Sequence, residues 1–190
     1  MSLSRVDKWQ AQYAAYVLRA GGVIAHPTEA VWGLACDPNN QQAVSTILSL
    51  KKRPIEKGLI LVSGQRIHFE AFLAGFPEAL QSRFFSATER PTTWLVPDPQ
   101  NRVPRYIKGR FNSVALRLSD HPIIGALSAS LNSPLVSTAA NPAGKTPALS
   151  LIQARGYFMG RIDYLLPGKL GGYTAPSEIR DLISGQVVRS

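Results

Sequence analysis

Lys51, Lys52 and Arg53 run straight into Pro54, and Lys57 follows just before the apolar run Leu59-Ile60-Leu61-Val62. Two kinds of chemistry suit that spacing. Cations in the last turn of a helix offset its dipole and are solvated there. An arginine that precedes a proline is instead biased out of helical geometry, so its guanidinium leaves the helix surface and turns toward the next strand end. There a planar guanidinium can grip a phosphate or carboxylate through two parallel bonds, and a lysine adds a point charge. An anion pocket headed by Lys51 and Arg53 is the sharper of the two readings.

Other stretches could complete such a pocket. In residues 26–38, HPTEAVWGLACDP, Thr28 and Glu29 offer a hydroxyl and a carboxylate after a strand end. Gly33 permits close approach, and Trp32 would form an aromatic wall. The same residues also read as a helix start, with Thr28 as cap and Glu29 on the dipole. Arg117 stands inside the alternating run SVALRL; an arginine there either faces water or is buried with an anion. In residues 137–148, STAANPAGKTPA, small side chains leave backbone N–H groups bare, which suits a nucleotide. An ordinary strand–turn–helix connection would look similar. Finally, Arg102, Arg105, Lys108, Arg110 and Arg117 fall in a span without an acid, a basic loop suited to RNA phosphates.

Several chemistries are excluded or disfavoured. Neither G-x-x-x-x-G-K-[ST] nor G-x-G-x-x-G occurs, and Gly144-Lys145-Thr146 lacks the upstream glycine. His26, His68 and His121 are scattered and Cys36 is alone, so no metal-ligand spacing arises. Cys36 reads as a small buried hydrophobe rather than a nucleophile. One cysteine allows no internal disulfide, which fits a reducing cytoplasm. No apolar run reaches the ~18–20 residues that span a bilayer, and the N-terminus has no secretory h-region. The net charge of +9, from 21 Lys+Arg against 12 Asp+Glu, points to anionic partners.

The elements that must position these residues alternate. Helices are expected over 7–20, ended by Gly21-Gly22, and over 41–51, capped by Asn39 or Asn40. One or two more lie within 67–86, and another spans 121–131. In the first helix Trp9, Tyr13, Tyr16, Val17 and Ala20 share the helical spacing. Strands are expected at 23–25, 58–62, 92–96, 113–118 and 134–137, with closing strands at 162–166, 178–183 and 186–189. The pattern predicts one α/β domain, residues 1–190, with a twisted mixed sheet. Ligands in such sheets sit beyond the strand ends.

Taken in order, PTE-x-VWGL, K-x-R-P, SVALRL, S-T-A-A-N-x-x-G and P-S closely resemble the YrdC-like family, over about residues 8–189. The most similar members are the single-domain bacterial threonylcarbamoyl-AMP synthases. The resemblance implies flanking helices around a basic concave cavity. It implies an enzyme that makes threonylcarbamoyl-adenylate and pyrophosphate from L-threonine, bicarbonate and ATP, with Mg²⁺ accompanying ATP. The threonylcarbamoyl group then passes to adenosine 37 of tRNA with partner proteins. By the family pattern, Thr28, Trp32 (where the family usually has tyrosine), Arg53 and Arg117 bind threonine. Lys51 and Arg53 meet the substrate carboxylate and phosphates and carry catalysis. Lys51, Asn141, Ser177 and Arg189 bind the nucleotide. Ala139 and Ala143 replace two serines of the family loop, so Ser137, Thr138 and the backbone are left to make those contacts. Glu178 replaces a threonine. The other functional expectation is a module that binds double-stranded RNA or tRNA in ribosomal RNA maturation.

Overall fold

Gly21 and Gly22 end the first helix and turn the chain into a sheet. In the computed structural model, which describes residues 5–189, the elements run α1 Arg5–Arg19, β1 Ile24–Pro27, β2 Trp32–Cys36, α2 Gln41–Lys51, β3 Ile60–Ser63, α3 Ile67–Leu73 and α4 Glu78–Phe85. They continue with β4 Thr92–Pro97, α5 Arg105–Lys108, β5 Ser113–Leu118, α6 Pro122–Leu131, β6 Leu135–Ala139, α7 Leu151–Phe158, β7 Tyr164–Leu165, β8 Glu178–Asp181 and β9 Val187–Arg189. The nine strands form one sheet in the order β7-β1-β2-β6-β3-β5-β4-β8-β9. The β1/β7, β3/β5 and β4/β8 pairs are parallel and the others antiparallel, so the sheet is mixed, as expected.

Strand alternation sorts the apolar residues onto two faces. Val23, Ala25, Trp32, Leu34, Cys36, Leu61 and Val136 point into the larger core, where Val44 and Ile47 of α2, Phe69 of α3 and Phe158 of α7 meet them. Ile24, Ala35, Val62 and Leu135 point the other way, against Ala14 and Leu18 of α1 and Ile124 and Leu127 of α6. Here the expected face of α1 is corrected. Trp9 and Tyr16 are each 64% exposed, whereas Ala11, Ala14, Ala15 and Leu18 are buried. Small side chains let α1 lie close on α6, and the aromatic stripe is left outside, with Trp9 and Tyr13 stacked on one another.

Three elements depart from expectation. Residues 26–38 do not start a helix: β1 and β2 form a hairpin, with Pro27 paired to Trp32. Thr28 caps the turn instead, its Oγ donating to the Val31 carbonyl at 2.7 Å. Helices α5 and α7 were not foreseen. Helix α7 begins at Ser150, whose Oγ accepts from the Gln153 N–H at 3.1 Å, while the Gln153 side chain accepts from the Leu149 N–H at 2.8 Å. That reciprocal arrangement is close to a capping box. Cys36 lies wholly inside the core, and burial pushes its thiol far above its ordinary pKa, consistent with the apolar reading.

Candidate active site

The register that fills the α1/α6 side of the sheet also hollows it out further along. Gly33 pairs with Ala139, Ile60 pairs with both Ser137 and Ala115, and Ser113 lies two residues before Ala115 on β5. These mostly small residues share one face and floor a cavity of about 760 Å³.

Its basic rim is built where α2 ends. Asn40 caps the helix N-terminus by accepting from the Ala43 N–H at 3.0 Å. At the other end Lys52 is left-handed, with φ 49°, and turns the chain out of the helix. Pro54 then opens a 3-10 turn over Ile55–Lys57. Arg53 folds back over this turn: its Nε donates to the Gly58 carbonyl at 2.9 Å and its Nη2 to the Lys57 carbonyl at 3.2 Å. Two glycines lock the turn against α5. A Cβ on Gly58 would come within 2.8 Å of the Lys108 carbonyl, and one on Gly109 within 2.5 Å of the Glu56 carbonyl. Both glycines also have positive φ, a conformation that costs any other residue.

Lys51 reaches across to the loop after β6. Its ammonium donates to the Ala139 carbonyl, to the Asn141 carbonyl at 2.9 Å and to Asn141 Oδ1 at 3.0 Å. Burial, and then the like charge of Arg53, bring its pKa down to about 8. Asn141 in turn donates to the Lys145 carbonyl at 2.7 Å. Trp32 holds the same loop through its backbone, accepting from the Ala140 N–H at 2.7 Å and donating to the Ala148 carbonyl at 2.8 Å.

Arg117 is 8% exposed and is indeed buried with an anion. The partner is Glu29, with Oε2 3.5 Å from Nη2. The Ser119 hydroxyl donates to Glu29 Oε1 at 2.6 Å. Burial pushes the Glu29 carboxyl up, but Arg117 and Ser119 outweigh that and hold it below the usual carboxylate range. His26 and His121 adjoin this pair. The Nδ1 of His26 donates to the Pro27 carbonyl at 3.0 Å, and burial lowers its pKa to about 4. The Nε2 of His121 donates to the Lys169 carbonyl at 3.1 Å, and burial lowers its pKa also.

The cavity gathers residues far apart in sequence. Thr28, Lys51 and Arg53 line it together with Arg117, Ser137 and Thr138, and so do Asn141, Ser177 and Arg189. Ser177 Oγ is hydrogen-bonded to Thr93 Oγ1 at 2.9 Å. Burial, and then the like charge of Arg189, hold the Arg53 guanidinium below its ordinary pKa, and both cations line the cavity. Glu178 points away from the cavity: its Oε1 accepts from Thr92 at 3.0 Å and from Arg180 at 2.7 Å.

Trp32 is the exception among the expected site residues. Its side chain is 2% exposed, lies in the larger core and does not line the cavity. Alternation along β2 gives the cavity Gly33 instead. The basic span is corrected too. Lys108 is 4% exposed and bound to Asp98 at 2.9 Å and Asn101 at 2.7 Å, so with Arg117 it is lost to any RNA surface. Arg102, Arg105 and Arg110 remain exposed. Glu29, Lys52 and Lys57, which the candidate stretches contain but to which the family pattern assigns no role, also line the cavity. Arg117 carried the signal for Glu29, since a cation in an apolar strand needs a buried acid. Among the described residues no three His, Cys, Asp or Glu side chains converge as metal ligands. Nor is any helix there long and apolar enough to cross a membrane.

The family model for the Sua5, YciO and YrdC proteins, described as "Telomere recombination", matches residues 16–190. The chain belongs to the Sua5/YciO/YrdC family. It is 49% identical over 185 residues to a threonylcarbamoyl-AMP synthase of Pseudomonas savastanoi pv. phaseolicola, covering 97% of this chain and 99% of that one. A structure of P. abyssi Sua5 complexed with L-threonine superposes with a TM-score of 0.82 at 29% identity, over 94% of this chain. This chain spans about half of that protein, 52%. E. coli YciO shares the fold, with a TM-score of 0.80 at 20% identity, over 96% of this chain and 89% of that one.

Proposed function

We propose that this chain is a threonylcarbamoyl-AMP synthase, a nucleotidyltransferase that converts L-threonine, bicarbonate and ATP to threonylcarbamoyl-adenylate and pyrophosphate. The relatives that it matches almost end to end bear that name. The observation that carries the reading is the convergence of Lys51, Arg53, Arg117 and Arg189 on one cavity.

The chemistry follows from that charge. Threonine and bicarbonate combine to a carbamate with loss of water. A carbamate oxygen then attacks the α-phosphorus of ATP, and the bond to the β-phosphate oxygen breaks. No protein nucleophile is required; catalysis rests on positioning and on neutralising the departing pyrophosphate. Arg53 and Arg189 repel one another in the free protein, and a triphosphate between them would relieve that repulsion. Lys51 pins the Asn141 loop, just after Ser137 and Thr138 of β6, beside the nucleotide. Thr28 and Arg117 serve the amino acid. Mg²⁺ would accompany ATP as part of the substrate. It supplies further neutralisation of the phosphates. The adenylate goes on, with partner proteins, to form N6-threonylcarbamoyladenosine at position 37 of tRNA. The unpaired Cys36 and these substrates fit work in the cytoplasm.

The test is pyrophosphate release together with mass detection of the adenylate. Both should require threonine, bicarbonate and ATP. Release that continues without threonine or bicarbonate would overturn the reading.

A further inference from the structure

Among the described residues that line the cavity, Glu29 is the only acid, against Lys51, Arg53, Arg117 and other cations. It is also incompletely satisfied. Oε1 accepts from Ser119, which is itself held by the His121 N–H at 3.2 Å. Oε2 has no hydrogen-bond partner, and neither does Arg117 Nε. The two side chains stand 3.5 Å apart, an ion pair without a hydrogen bond. Buried polar atoms in native proteins are nearly always paired, so each exception asks for a ligand or a cause.

The neighbouring histidines sharpen the request. A carbonyl can only accept, so the ring nitrogens facing Pro27 and Lys169 carry the protons. In the neutral rings this leaves His26 Nε2 and His121 Nδ1 as lone-pair acceptors, and both are buried without a partner. His26 Nε2 lies close under the cavity floor: a Cβ on Gly33 would be 3.3 Å from it and 3.4 Å from Ser137 Oγ. Glu29 and His121 adjoin one another, both meeting the position of a Cβ on Gly171. This corner therefore offers three unspent acceptors and one unspent donor. An α-amino acid brings the complement: an ammonium with three donors and a carboxylate that only accepts, held two bonds apart.

We propose that Glu29 receives the amino group of the amino-acid substrate while Arg117 takes its carboxylate. The inference rests on the synthase reading and names the residue that makes it specific for an amino acid. Docking parts the loose Glu29–Arg117 pair and replaces it with two close charge-assisted contacts. Carboxylic acids of the same skeleton without the amino group leave Glu29 facing nothing and are rejected.

The experiment compares binding of L-threonine and 3-hydroxybutyrate by calorimetry, in the wild type and in Glu29→Gln, with ATP affinity and threonine-dependent pyrophosphate release measured alongside. The wild type should prefer threonine by roughly 10- to 100-fold, the range for one charge-assisted hydrogen bond. Glu29→Gln should lose that preference by weakening threonine alone, with 3-hydroxybutyrate and ATP bound as before. Equal binding of the two acids by the wild type overturns the proposal, and that arm needs no variant. So does a Glu29→Gln defect that falls equally on both acids, because Glu29 would then only hold Arg117 in place. If the wild type shows no threonine-dependent pyrophosphate release, the synthase reading falls and takes this proposal with it. If release persists and the variant keeps its preference, only the proposal falls.

Discussion

Two short basic segments, 51–57 and 102–110, look alike in the sequence and end up with opposite duties. In the first, Lys51, Lys52, Arg53 and Lys57 all border the cavity. In the second, Lys108 touches the cavity but turns its ammonium inward to Asp98, while Arg102, Arg105 and Arg110 remain on the surface. Count and sign of charge are the same kind of signal in both. The difference is made by the backbone. Segment 51–57 carries a left-handed Lys52 and a proline that fold its cations over a hollow face. Segment 102–110 carries a one-turn helix whose inner side needs an ion partner. Charge becomes function where the chain is bent to aim it.

The largest expected effect tests the aiming. Arg53→Glu should abolish threonine-dependent pyrophosphate release, with a barrier increase of roughly 4 kcal/mol or more, since one preorganised donor is lost and a repulsive charge gained. Activity within a few-fold of wild type would erase the contrast between the segments. Lys108→Ala should instead act on stability, costing roughly 3–4 kcal/mol in urea unfolding, because it leaves Asp98 buried without its cation.

A third test concerns the site's inner corner. His26 remains neutral in the folded protein down to about pH 4 but charges near 6.5 when unfolded. The unfolded chain therefore binds the extra proton across that window, so stability falls as pH drops from 6.5 to 4, by up to roughly 3 kcal/mol. Urea titrations at several pH values should show that slope in the wild type and a clearly shallower one in His26→Asn, where buried His121 still contributes.

The fourth bears on Lys51, whose pKa is about 8. Its charge is present below that pH and lost above it. ATP affinity should fall roughly 10-fold between pH 7 and 9, and Lys51→Arg should flatten the decline. The smallest effect belongs to the exposed helix. Arg105→Glu should leave pyrophosphate release unchanged and shift stability by under ~0.5 kcal/mol. Lost synthesis in that variant would give the second segment a catalytic duty after all.

Much of this was legible in the residues. Pro54 after Arg53 announced the bend, and the lone Arg117 in SVALRL announced a buried acid. Trp32 misled because an aromatic beside Thr28 and Gly33 suggests a pocket wall, whereas the pocket face of β2 is set by alternation once the hairpin forms. The outward aromatics of α1 misled for a related reason: which stripe of a helix is buried depends on how closely its neighbour approaches, and α6 comes close enough to want alanine. Helix α7 was readable in hindsight from Ser150 and Gln153, a cap signal masked by the glycine and prolines before it. The fate of Lys108 was not readable, since Asp98 lies ten residues away across a turn.

The contact of bare backbone at residues 58 and 109 has a further consequence. Two strips of main chain meet there with no side chain to act as a cushion, so they cannot drift independently. Loop 102–110, though most of its charges face elsewhere, is in effect the hinge pin for Arg53. A methyl group at either glycine should reach the chemistry as a displaced guanidinium, leaving a protein that is folded yet poorly aimed.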